Sequence, residues 1–230
     1  ALADNWYLED GDITVSATES GQTVSQGNVT KEDSAPVIGN RDAEASTDNT
    51  VTIVADKNAT ANVTLKDANI DVSAEKEAAV KTEGEGDVTL TIEGENTVKS
   101  GEYHAGVEKK NDGNLTITTD GSSQGSLSAE GGFVGSGIGG AWSSVSNITI
   151  EGDVQLKATG GETAAGIGSA ASSCSNITIR GNAKVEATGG HDAAGIGSGS
   201  GAKNASDIII EGNAAVSYTH LRAHETGAYL

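Results

Sequence analysis

Five side chains in this sequence have types and positions suited to chemistry: Tyr103, Phe133, Trp142, Glu162 and His191. Aromatic residues make up only 3% of the chain, so each one that is not needed for a core stands out. An exposed ring is a platform for the apolar face of a sugar, and an acid beside it can hydrogen-bond hydroxyls or hold calcium. Aligned on the repeat described below, Tyr103, Phe133, Glu162 and His191 fall at one corner of successive repeats. Trp142 falls at the next corner, in a Gly/Ser loop that offers it little to pack against. The competing reading is that Phe133 and Trp142 cover corners or pack under inserted loops, and Trp6-Tyr7 reads as the plug of an N-terminal cap.

Other chemistry finds less support. A Ser/His/Asp set needs a histidine near a motif, and neither His104 nor His191 has one. Carboxylate pairs are common but uninformative, because stacked repeats bring acids to about 5–10 Å by geometry alone. Lyase chemistry needs a calcium-binding acid cluster and a basic proton abstractor. Arg180, the only arginine inside the repeats, has Glu151 and Glu211 in register. Gly-x-Gly at 137–139, 166–168 and 195–197 does not open helices, so it is not a phosphate loop. Read as strands, these segments point Ile inward and bare Gly outward, making a flat stripe that another surface could approach closely. Outward threonines read as one per strand, which does not suit an ice-binding array. The expectation is a non-catalytic protein.

The elements that position these residues come from an internal repeat. Gly137 to Ala165 is followed by a near copy from Gly166 and another from Gly195, with a period of 29 residues. Fainter copies lie upstream. The apolar residues that open them, Val63, Leu90, Leu115, Ile148, Ile177 and Ile208, are spaced by 27, 25, 33, 29 and 31. Each copy holds three short alternating segments separated by turn residues, none long enough for an ordinary helix. In the clearest copy Ile148, Ile150, Val154, Leu156, Ala158 and Ile167 face inward. This predicts an all-β fold: a right-handed parallel β-helix, or solenoid, of about six coils of roughly 29 residues with three strands per coil. An antiparallel meander gives no reason for such a period, and propeller blades need about 40 residues or more.

Stacking assigns roles to several rows. Asn62, Asn114, Asn147 and Asn176, with Asp207, are expected to form an internal amide ladder. Thr64, Thr91, Thr116, Thr149 and Thr178 are expected to form an outward one. Cys174 aligns with Val145 and Ala205 and reads as buried packing. Glu151, Arg180 and Glu211 read as a cross-coil ion-pair row of modest strength.

Residues 1–55 repeat poorly and are expected to hold an N-terminal cap and irregular first coils, with the β-helix over 56–215. Residues 216–226 break abruptly from the rest and resemble the in-frame translation of a sequencing-library adapter. The last segment, 216–230, is therefore read as a non-native tail, and its His220/His224 pair is not taken as a metal site. The net charge of −19 disfavours nucleic acid and anionic membranes as partners. No run approaches the roughly 20 apolar residues of a membrane span, so no membrane insertion is expected. Ala1-Leu2-Ala3-Asp4 resembles the end of a signal peptide. The single cysteine excludes an intrachain disulfide.

The repeats Asn-Ile-Thr-Ile-Glu-Gly, Ala-Thr-Gly-Gly and Ala-Ala-Gly-Ile-Gly resemble those of Gly-rich surface proteins of Gram-positive gut bacteria. More loosely, residues 50–215 resemble calcium-dependent carbohydrate-binding β-helix domains of clostridial surface proteins. That resemblance implies an extracellular protein at the bacterial cell surface. It implies binding of a polysaccharide or cell-wall glycan without cleavage, with calcium as the cofactor. No calcium-ligand motif carries over residue by residue. Two alternatives stay open: a structural stalk or adhesin segment without its own ligand, and a polysaccharide-degrading enzyme.

Overall fold

The computed structural model describes residues 3–200 and 204–219. Within them the chain winds through three parallel sheets in a fixed order. The first sheet takes Asn5–Tyr7, Val37–Gly39, Thr60–Lys66, the front of Asp87–Lys99, Leu115–Thr118, Val145–Ile150, Cys174–Ile179 and Ala205–Ile210. The second takes Asn69–Asp71, the back of Asp87–Lys99, Gly125–Glu130, Val154–Thr159, Lys184–Thr188 and Ala215–Thr219. The third takes Ile13–Thr18, Val51–Ala55, Val80–Glu83, Val107–Lys109 and the three short strands Ile138–Gly139, Ile167–Gly168 and Ile196–Gly197. Seven turns are complete and an eighth has begun. The six repeats legible in the sequence are the turns from Thr60 onward. Two earlier turns precede them.

Period-2 alternation builds the core. Ile148 pairs with Leu115, Ile177 with Ile148 and Ile208 with Ile177, all parallel. Leu127, Leu156 and Val185 make the matching column of the second sheet. Val80, Val107, Ile138, Ile167 and Ile196 make that of the third. Nearly all of these side chains are buried, each Ile or Leu contributing about 1.5–3 kcal/mol relative to exposure. Cys174 is buried between Val145 and Ala205, and burial pushes its thiol pKa up to about 11. The strand Asp87–Lys99 serves two sheets because Gly94 turns the corner at φ 67°, as Gly152, Gly181 and Gly212 do on later turns.

The start of the stack carries an insertion. Gly21–Gln26 returns antiparallel along Ile13–Thr18, and Val29–Glu32 returns antiparallel along it in turn. This hairpin extends the third sheet and presses Val24, fully buried, and Gln22 against the rest of the fold. Asp33 at its foot accepts the Trp6 indole N–H at 2.9 Å, so Trp6 is fixed within this cap.

Two register details differ from the sequence expectation. Leu90 lies opposite Ile117, not Leu115, a slip of two residues that leaves the inward face unchanged. The outward threonines consequently form two columns, Thr64-Thr91-Thr118 and Thr89-Thr116-Thr149-Thr178. The first column then gives way to Glu151 and Arg180, joined at 2.7 Å.

The asparagine ladder is not internal. Asn147, Asn176 and Asp207 adopt φ of 62°, 53° and 54°, a left-handed kink that Asn and Asp tolerate. Each kink places two successive residues outside the coil. Asn176 does bond to Asn147, at 2.6 Å, but on the surface. The buried asparagines are Asn40, Asn96 and Asn111, at corners, where their side chains satisfy backbone groups of neighbouring turns.

Candidate functional site

The corner from the second sheet to the third is built on stacked glycines. Gly101, Gly132, Gly161 and Gly190 lie over one another, and a Cβ on any of the upper three would overlap the carbonyl oxygen of the glycine beneath. Each is followed by an outward side chain: Glu102, Phe133, Glu162 and His191. The backbone confirms the register, with Val134 N–H donating to Glu102 O at 2.8 Å and Thr163 N–H to Phe133 O at 3.4 Å. Tyr103 therefore stands one place beyond the row in which sequence alignment put it.

That displacement brings Tyr103 against Trp142. The ring centroids are 6.1 Å apart and the planes are inclined by 34°, forming a shallow V. The two side chains are 41% and 63% exposed, and Phe133, one turn above Glu102, is 54% exposed. These are the most exposed aromatic rings among the described residues. Glu162 and His191 occupy the same corner on the next two turns, about 5 and 10 Å further along the shaft than Phe133. His191 faces Asp192 at 3.1 Å.

Sequence reasoning missed the polar group beneath this surface. Glu108 sits on an outward position of the third sheet, directly below Gly139, yet it is only 2% exposed. Its oxygens lie 3.0 and 3.1 Å from His104 Nδ1 and 3.8 Å from Lys110 Nζ, and one accepts the Ala105 N–H at 3.4 Å. Because a carboxylate only accepts, Nδ1 of His104 carries the proton. The Glu102 carboxylate stands at the Tyr103 hydroxyl and pushes that phenol's pKa up. One turn below, burial raises the Glu77 carboxyl, reinforced by Asp12, Glu75 and Asp48 and opposed by His104. The available signal was Glu108 itself, the last charged residue, after Lys81, in a column that then becomes glycine.

The glycine stripe of the third sheet is not an open docking surface. Gly137, Gly139, Gly166, Gly168, Gly195 and Gly197 are all buried. The chain's own corners fold over them: Ala170 and Ala171 N–H both donate to Ala141 O, and Ser200 N–H to Thr163 O. Val134, Ala164 and Ala170 form a second small apolar cluster there. Bare glycine is what lets this outer layer close.

A second surface runs along the outer face of the second sheet. An open trough of about 410 Å³ crosses four turns, floored by Ser126 and Ser128 and flanked by Glu95, Gln155, Lys157 and Lys184. Near the start of the stack, Glu9, Asp48 and Asp71 border a separate acidic depression. Two of those acids are turned onto local donors, Glu9 onto the Arg41 N–H and Asp71 onto Ser73. Among the described residues no three His, Cys, Asp or Glu side chains converge as a metal site. The His220/His224 pair and most of the adapter-like segment lie outside the described residues, as do Ala1 and Leu2.

In-register stacking of all three sheets decides the architecture. This is a parallel β-helix repeat protein. The family profile for the beta helix repeat matches the β-helix at residues 148–171 and 177–200, two successive turns. No curated protein and no solved structure matches it. No helix among the described residues is long and apolar enough to cross a membrane.

Proposed function

We propose that this β-helix is an exported, non-catalytic cell-surface protein that binds a polysaccharide at the aromatic corner. The observation that carries the reading is the Tyr103–Trp142 pair, two exposed rings in contact on neighbouring turns. Exposed aromatic surface of this kind stacks on the apolar faces of sugar rings. Phe133 extends the platform, and the acids around it supply hydrogen-bond acceptors for hydroxyls. The trough on the outer face of the second sheet offers an extended chain a polar bed.

Glycan-array binding followed by titration calorimetry tests this. Trp142→Ala or Phe133→Ala is expected to weaken retention while circular dichroism stays unchanged. Absence of binding to every glycan on the array overturns the reading. It would leave the second one, a stalk that holds other domains away from the cell wall. Cross-coil links such as Ser144–Ser172, Asn176–Asn147 and Arg180–Glu151 favour that alternative, because they stiffen the shaft without making a site.

A further inference from the structure

The aromatic corner has an uneven electrostatic setting. Glu102 follows Gly101 and immediately precedes Tyr103. Glu77 lies one turn below, its carbonyl accepting the Gly101 N–H at 2.9 Å, and the Glu75 carbonyl lies under Gly101 as well. Glu162 stands exposed two turns above Glu102 at the same place in the coil. The cations nearby are largely engaged. His104 and Lys110 face Glu108, and Lys81 faces Glu83 at 3.0 Å. Lys76 lies between Glu75 and Glu77 in the sequence and is exposed. Asp12 and Asp48 lie on the far side of Glu77 from the rings. The platform is therefore bordered by carboxylates whose charge the neighbouring bases do not cancel.

Such a border discriminates among sugars. A uronic acid brings a carboxylate into a field of its own sign. An N-acetyl group brings no charge. A free amine, protonated at neutral pH, gains a cation–π contact with the ring faces and a charge-assisted hydrogen bond to a carboxylate. Tyr103, with its ring in the V and Glu102 at its hydroxyl, offers both to one ammonium group.

We infer that the Tyr103–Trp142 corner selects glycans bearing free amino groups, of the unacetylated hexosamine class, over N-acetylated and uronic ones. This rests on the carbohydrate-binding reading above.

Titration calorimetry of the full chain against glucosamine oligomers, the matching N-acetylglucosamine oligomers and polygalacturonate decides it. The glucosamine oligomer is expected to bind about fivefold more tightly than its acetylated match. Glu102→Gln is expected to narrow that ratio, and Trp142→Ala to abolish binding of both. The chain is acidic overall, so diffuse attraction of a polycation is the rival outcome. Glucosamine binding that persists unchanged in both Trp142→Ala and Glu102→Gln overturns the inference. Equal affinity for the two matched oligomers, or preference for polygalacturonate, overturns it while sparing carbohydrate binding. No binding of any saccharide overturns both.

Discussion

Gln22 and Asn62, 40 residues apart in the chain, are joined as one peptide group is joined to another. The Gln22 side-chain amide donates to the Asn62 carbonyl at 2.9 Å and accepts the Asn62 N–H at 2.9 Å. It also donates to the Asp33 carbonyl at 3.0 Å. A side chain thus fills the place of a strand, beside the part of Thr60–Lys66 that the short Val37–Gly39 does not reach. Gln22→Ala strands these buried groups and is expected to destabilise the fold by about 1–3 kcal/mol. A denaturant midpoint that does not move would show that the amide is dispensable.

Ser136 presents the opposite case. Its hydroxyl is buried and has no hydrogen-bond partner, and it is the one such atom among the described residues. Equivalent places on adjacent turns hold Ala105 and Ala165, both fully buried. Ser136→Ala removes an unsatisfied polar group without leaving a sizeable cavity, so stability is expected to rise by about 1 kcal/mol. Thermal unfolding of the variant beside the parent chain measures it.

Lys109 makes stability depend on alkaline pH. It is 5% exposed and in register with Thr82, which faces the interior; its ammonium donates to the Asn111 carbonyl at 2.6 Å. Burial lowers its pKa to about 8, against weaker opposition from Asp112 and Asp87. Below pH 8 the lysine is charged whether folded or unfolded, and the fold carries the full cost of burying that charge. As pH rises above 8 the folded lysine gives up its proton, while the unfolded one holds it to about 10.4. Stability is therefore expected to increase between these values, by roughly 3 kcal/mol in all. Lys109→Met should be more stable than the parent at pH 7 and lose that segment of pH dependence. A parent chain with flat stability from pH 8 to 10 would contradict this.

Gly168 tests the buried stripe. It sits at φ 135°, where L side chains are strained, and a Cβ there would overlap the Gly197 carbonyl of the next turn. Gly168→Ala is expected to cost several kcal/mol, well beyond the roughly 1 kcal/mol of typical single substitutions. Chemical denaturation reads it directly. A near-neutral result would mean that Gly168 and Gly197 do not stack this closely.

The repeat was legible because stacking writes the same apolar residue at the same place on every turn, as Ile148, Ile177 and Ile208 show. What alternation could not fix was any shift that preserves it. Leu90 could be matched to Leu115 or Ile117 without moving a side chain from inside to outside, and the fold adopts the second. The asparagine row was found but assigned to the wrong face, since a single left-handed residue adds an extra outward position that strict alternation ignores. The hairpin at the start escaped notice because it repeats nothing. The aromatic corner was legible as a row of residues, but the Tyr103–Trp142 contact was not. It joins two different corners on successive turns, brought together where the coil folds back over its narrowest sheet.

Corner length varies from turn to turn, while the paired positions hold their register: Leu115 to Ile148 spans more residues than Ile148 to Ile177, yet each lands on its counterpart. Decoration and shaft are thus separable. A segment can be lengthened, shortened or exchanged at a bend without shifting the rungs on either side. Duplication of one winding yields a longer rod carrying one more copy of each bend. Such a scaffold lets its surface chemistry diversify one turn at a time, which a globular core of interlocking parts does not allow.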